Sequence, residues 1–164
     1  LHAFPAFTAS VCNLRPTSRG HIRLNGSDGV PAPKITMNYL STAEDRRVAA
    51  DSLKLTRRIV AAPALRRYQP DECKPGIEYQ SDEELFNAAG EIGTTIFHPV
   101  GTCKMGRDDD MLAVVDSQLR VRGIAGLRVA DASVMPAITS GNTNSPTIMI
   151  AEKAAEMIRS TRKK

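Results

Sequence analysis

Tryptophan is absent from these 164 residues, and Phe and Tyr together make up only 4%. The chain has 22 basic and 18 acidic residues, a net charge of +4, and the basic residues are spread along its length. Nucleic-acid binders concentrate positive charge on one face and interleave aromatics, so nucleic acid is set aside as a partner. The one basic run, Arg159-Ser160-Thr161-Arg162-Lys163-Lys164, reads as a solvated helix end at the negative pole of the helix dipole. No run of about 18 apolar residues exists, so no membrane span is expected, and the N-terminus lacks the charged and apolar regions of a signal peptide. Cys12, Cys73 and Cys103 are widely spaced, with no CxxC and no zinc-spaced Cys/His cluster. No metal site is expected, and the odd count favours a reducing, cytoplasmic compartment, with membrane association left open. The chain opens on Leu1 rather than Met and so reads as a piece of a longer protein.

Several catalytic signatures are missing too. There is no GxGxxG, HExxH, GxSxG or EF-hand pattern. Gly101 and Gly106 have the spacing of a P-loop, but Arg107 and Asp108 stand where Lys and Ser/Thr are required. That loop is not a phosphate cradle.

The pattern that is present fits one domain of mixed α and β structure. Residues 11–14, 21–24 and 35–40 read as three short strands of an antiparallel sheet, joined by turns at 15–20 and 25–29. Ser41-x-x-Glu44 has the form of a capping box ahead of a helix over about 42–60, which stops before Pro63. Residues 61–80 carry three prolines and read as irregular. Ser81-x-x-Glu84 opens a second helix that ends near Gly93. Residues 94–98 favour strand, and 119–131 read as two strands about the turn Gly123-Ile124-Ala125-Gly126. A last helix begins with Ser145 as N-cap and Pro146 at its first position, with Ile148, Ala151, Ala154, Ala155 and Ile158 as its apolar stripe.

Two features could carry chemistry. His98 follows four strand-forming residues and precedes Pro99, so a stiff backbone holds its ring. An imidazole can exchange a proton near neutral pH, although a lone histidine is more often a packing or surface residue, the reading kept for His2 and His21. The helix start at 145–147 offers amide N–H groups, those of Thr147 and Ile148, and partial positive charge. Every helix has such an end, so this alone identifies nothing. Asp131 lies at the carboxyl end of the run Leu127-Arg128-Val129-Ala130, where ligands of α/β sheets gather.

The ordered motifs narrow the choice. They are His98-Pro99-Val100-Gly101-Thr102-Cys103-Lys104-Met105-Gly106, Val114-Val115-Asp116, Arg120-Val121-x-Gly123, Gly126-Leu127-Arg128-Val129-Ala130-Asp131-Ala132-Ser133-x-Met135-Pro136, and Gly141-Asn142-x-Asn144-x-Pro146-Thr147-Ile148-Met149-Ile150-x-Glu152-Lys153. With Leu14-Arg15-Pro16-x-Ser18-Arg19-Gly20 they resemble the C-terminal part of the glucose–methanol–choline (GMC) oxidoreductases, over about residues 10–159, in the choline dehydrogenase and alcohol dehydrogenase branch. The resemblance implies an α+β fold. Residues 1–93 would be part of a substrate-binding domain, an antiparallel sheet with flanking helices. Residues 94–164, a β-hairpin or strand and a C-terminal helix, would return to a Rossmann-type FAD domain whose N-terminal half lies outside this sequence.

It further implies FAD as cofactor and His98 and Asn142 as the catalytic pair beside the flavin. Asp131 and Ala132 would contact the FAD diphosphate and ribityl chain, and Thr143, Asn144, Pro146 and Thr147 would lie against the flavin's pyrimidine side. The implied reaction oxidises a small primary alcohol, choline-like or other, to the aldehyde, and passes electrons to oxygen, a quinone or another carrier. Two alternatives remain from the sequence: a lyase on the same fold, and a non-catalytic fragment. Without the missing FAD domain the chain alone is expected to hold FAD poorly or not at all.

Overall fold

The computed structural model describes residues 2–27 and 31–161, and it separates into two compact units. The first contains the residues up to Gly20 together with Thr36–Thr94, and the second contains the described residues of His21–Ile35 together with those from Thr95 onward. The strand elements are β1 (His21–Arg23) and β2 (Lys34–Thr36), paired as a two-stranded antiparallel sheet. The helices are α1 (Ala43–Val60), α2 (Asp82–Ile92) and α3 (Asn144–Thr161).

The first unit is α1 packed against α2. Ala50, Leu85 and Ala88 are its buried apolar residues, and the Arg46 guanidinium lies 5.0 Å over the Phe86 ring. The cap of α1 falls one residue later than the spacing predicts. Thr42, not Ser41, accepts from Asp45 N–H, because the Ser18 hydroxyl takes the Ser41 N–H. The second capping box forms as read: Ser81 Oγ accepts from Glu84 N–H while Glu84 accepts from Ser81 N–H. Residues 61–80 are not wholly irregular, since Pro63–Tyr68 form a 3-10 helix with proline in its first turn. Arg57 then gathers the following loop, bonding Glu72, Gly76 O and Tyr79 O.

Asp45 is the buried polar centre of this unit, at 4% exposure. It accepts from Asn13 Nδ2, Thr17 N–H, Thr17 Oγ1 and Ser18 N–H. Residues 11–14 do not form the strand that β-propensity favours. Asn13 also turns the backbone onto itself by accepting from Arg15 N–H at 2.9 Å, so this segment is held by side chains rather than by a ladder. The third strand is shorter than read for a related reason. Asn38 and Leu40 both have φ of 55°, which ends extended structure after Thr36. Of the turn at 25–29, residues 28 and 29 lie outside the described residues, as do the last three residues of the basic run.

The second unit closes around Val115, Leu119, Val134, Met135, Ile150 and Ala154. The buried face of α3 is Ile150 and Ala154 with half-buried Met157, whereas Ile148 and Ile158 of the predicted stripe are exposed. The two predicted strands in 119–131 are reduced to single bridges, Arg120 to Arg128 and Val115 to Val121. Arg120 N–H and Gln118 N–H turn instead to the Asp116 carboxylate. Residues 94–98 are not a strand either. Phe97 has φ of 63° and donates its N–H to Thr95 Oγ1 at 3.0 Å, a side-chain turn in place of a ladder bond.

Burial pushes the Asp45 pKa up, but the hydrogen bonds from Ser18 and Thr17 outweigh it and leave the carboxyl below its usual value. A depressed carboxylate adds stability above its unfolded pKa of about 3.9 and loses it as the pH falls through the lower folded value. Asp45→Ala is therefore expected to cost about 2–3 kcal/mol in urea unfolding at neutral pH, with the difference from the parent shrinking below pH 4. An unchanged midpoint at neutral pH would remove Asp45 from this role.

Candidate active site

All the residues singled out for chemistry fall in the second unit. Three segments build the site. The first is the loop from His98 to Met105. It is laid along the short 3-10 helix Ala132–Val134 by two backbone bonds, Cys103 N–H to Ser133 O at 3.0 Å and Met105 N–H to Val134 O at 2.8 Å. Gly101 permits the approach. Its φ is +89°, and a Cβ there would lie 3.3 Å from Met135 O. The second segment is that 3-10 helix. Asp131 caps it by accepting from Ser133 N–H at 2.8 Å. The third is the start of α3.

His98 meets the third segment directly. Its Nδ1 lies 2.9 Å from Thr143 Oγ1 and 3.5 Å from Thr143 N, whose N–H points to it. Thr143 is 7% exposed and His98 is half-buried. Thr143 O in turn accepts from Thr147 N–H at 3.1 Å and Thr147 Oγ1 at 2.6 Å. The helix thus begins with Asn144, two residues before the predicted first position, and Ser145 is not its cap. The Thr147 amide is spent within the helix, so the N–H groups without an intrahelical acceptor are those of Thr143, Asn144 and Ser145, not Thr147 and Ile148. No acidic residue sits in the first turn to neutralise this positive end.

Of the residues named from the sequence, the structure joins His98 to Thr143 and Thr143 to Thr147. Pro146 and Thr147 are half-buried, while Asn142 and Asn144 are exposed on either side of Thr143 in the chain. Asp131 is exposed and Ala132 half-buried, connected to the His98 segment through Ser133 and Val134. Lys104, next to Cys103, is paired with Asp110 at 2.7 Å, which holds the Asp110 carboxyl below its usual range. The partner of His98 was not legible as such. Thr143 lies 45 residues away, and no local spacing ties the two.

Among the described residues, no group of three or more His, Cys, Asp or Glu is arranged to hold a metal ion, and no helix is long and apolar enough to cross a membrane. The exposed donors at the start of α3 are the amides and side chains of Asn144 and Ser145, with the carboxamide of Asn142 beside them. Such a donor-rich, acid-free helix start suits a ligand edge that carries carbonyl oxygens or negative charge.

A half-buried histidine is thus held by a helix start, beside a glycine-permitted loop and a capped 3-10 helix. Comparison with known proteins makes this specific. The family model for GMC oxidoreductases matches residues 16–151, and the chain belongs to that family. An oxygen-dependent choline dehydrogenase of Chromohalobacter salexigens is 48% identical over 153 residues, 93% of this chain and 27% of that protein. One from Escherichia coli O45:K1 is 47% identical over the same shares. Among solved structures, pyridoxine 4-oxidase from Mesorbium loti superposes with a TM-score of 0.83 at 34% identity, covering 90% of this chain and 28% of that one. An FAD-dependent oxidoreductase from Chaetomium thermophilum gives 0.84 at 30% identity, covering 92% and 26%. The chain therefore spans about a quarter of the length of the relatives it matches.

Gly101→Ala is expected to lower the stability of the second unit by about 1–2 kcal/mol, because an alanine in a left-handed conformation meets its own backbone and here also Met135 O. Thermal unfolding checks this. A wild-type midpoint would mean that the loop does not need the left-handed turn.

Proposed function

We propose that this chain is the C-terminal portion of an FAD-dependent GMC oxidoreductase that oxidises a small primary alcohol, choline-like or other, to its aldehyde. The observation that carries the reading is the His98–Thr143 pair at the start of α3, in a chain 48% identical to a choline dehydrogenase over nearly its whole length. Residues 1–93 act as part of the substrate-binding domain and 94–164 as the returning part of a Rossmann-type FAD domain. The rest of that domain is a required partner. Electrons leave to oxygen, a quinone or another carrier.

Bound FAD supplies the acceptor for a hydride from the alcohol carbon. Asp131 and Ala132 hold its diphosphate and ribityl portion. Thr143, Asn144, Pro146 and Thr147 form the surface for the pyrimidine edge, where the amides of the α3 start favour negative charge. The Asp131 carboxylate keeps one oxygen on Ser133 N–H and has the other for a ribityl or diphosphate-side hydroxyl.

His98 acts through Nε2, since Nδ1 is occupied by Thr143. Nε2 engages the substrate oxygen and helps remove the hydroxyl proton. Asn142 hydrogen-bonds the same oxygen through its carboxamide and sets the direction of the C–H bond. Two fixed contacts on one oxygen convert a collision into an oriented approach, a large part of the rate.

In the full-length enzyme, His98→Ala is expected to slow anaerobic flavin reduction by alcohol roughly 100-fold or more, read by stopped-flow bleaching of the flavin band. Reduction at the wild-type rate would remove His98 from the site, and failure of alcohol to bleach the wild-type flavin would favour the lyase alternative. Flavin titration of the isolated chain is expected to show weak binding or none, because the adenine and most diphosphate contacts lie in the partner domain. Tight stoichiometric binding would contradict that division.

A further inference from the structure

We infer that Thr143 is a positioning residue for His98: its hydroxyl and its backbone N–H converge on Nδ1, fix the plane of the imidazole, and set the ring proton on Nε2. This rests on the reading of His98 as the residue facing the substrate oxygen.

Which imidazole nitrogen carries the proton is determined by what the other one meets. Here Nδ1 meets two donors of the same residue. The Thr143 backbone N–H points at it from 3.5 Å, and that group can only donate. A proton on Nδ1 would put two N–H groups head to head. The Thr143 hydroxyl, 2.9 Å away, belongs to a residue 7% exposed, and a buried hydroxyl needs an acceptor for its hydrogen. His98 Nδ1 is that acceptor.

The helix gives a third reason. Thr143 precedes the first residue of α3, so its N–H is one of the amides a helix leaves without an internal partner. His98 Nδ1 fills that place and caps the helix from 45 residues away. A lone pair is favoured at the positive end of a helix, and an N–H there is not. All three arguments put the proton on Nε2.

The consequence for the reaction is definite. Neutral His98 presents Nε2–H to the substrate and donates a hydrogen bond to its oxygen. It helps remove the hydroxyl proton by stabilising the oxygen as charge develops, and the proton itself passes to water while the hydride leaves from carbon. Thr143 touches neither the substrate oxygen nor the hydride in this arrangement. Besides its place at the proposed flavin surface, it acts on the reaction through the ring.

The test uses the flavin-loaded full-length enzyme with nitrogen-15 labelled histidine and two variants. Thr143→Val keeps the shape and removes the hydroxyl, and Thr143→Ser keeps the hydroxyl. Wild type and T143S are expected to show His98, in its neutral form, with a bare Nδ1 and a protonated Nε2 in long-range proton–nitrogen spectra. T143V is expected to show a mixture of the two tautomers. Flavin reduction at saturating alcohol is expected to fall about ten-fold in T143V, with little change in KM, and to recover in T143S. A protonated Nδ1 in the wild type, or a T143V enzyme with unchanged tautomer and rate, would overturn the inference. The nitrogen spectra do not depend on turnover. An enzyme that fails to oxidise alcohols yet shows the expected tautomer refutes the functional reading and leaves the role of Thr143 at His98 standing.

Discussion

The candidate site in the second unit is built on one long-range contact, the bond between His98 Nδ1 and Thr143 across 45 residues. It joins a loop to the start of a helix, and each side needs the other. The loop has no ladder to hold its ring, because Phe97 takes a left-handed turn just before it. The helix has no acidic side chain in its first turn and would otherwise leave the Thr143 amide unpaired. A single imidazole nitrogen supplies the acceptor that the helix lacks and gains the orientation that the loop cannot give it. The other nitrogen is the one we propose for the substrate.

The rest of the unit keeps these two segments in register. Backbone bonds from Cys103 and Met105 zip the loop to Ser133 and Val134, and Val134 and Met135 are buried in the same core as Ile150 and Ala154 of α3. The loop and the helix are therefore anchored to one apolar cluster from opposite ends. Gly101 is the position where this arrangement requires a missing side chain. Asp131 caps the 3-10 helix between the anchors with one carboxylate oxygen. A few polar bonds set the geometry, and the buried Val, Leu, Met and Ile side chains hold it.

Much of this was legible in the sequence where local chemistry decides the outcome. The second helix and its capping box follow from Ser81 and Glu84, and the ends of α1 and α2 agree with the pattern to within a residue or so. The strands fared worse. Residues 11–14, 94–98 and 119–131 have β-propensity, but Thr95 and Asp116 divert the amides of Phe97 and Arg120 to side chains, and Asn13 turns the chain by accepting from Arg15 N–H. Propensity reads the residue and misses such competition. The buried face of α3 was also misplaced, toward Ile148 and Ile158 instead of Ile150 and Met157, because the helix is apolar around much of its girth. The ordered motifs mark His98 and the helix start, but not their contact. A pairing made by the fold between residues 45 apart leaves no spacing to read.

We propose that Nε2 of His98, held by Thr143 through Nδ1, is the atom that meets the substrate oxygen. The most direct measurement is a crystal structure of the flavin-loaded full-length enzyme with an unreactive alcohol analogue bound. The analogue's oxygen is expected within hydrogen-bond distance of Nε2, about 2.6–3.2 Å, with Nδ1 still on Thr143 and the Asn142 carboxamide on the same oxygen. An analogue oxygen bound away from Nε2, or a His98 ring turned so that Nε2 faces Thr143, would contradict it.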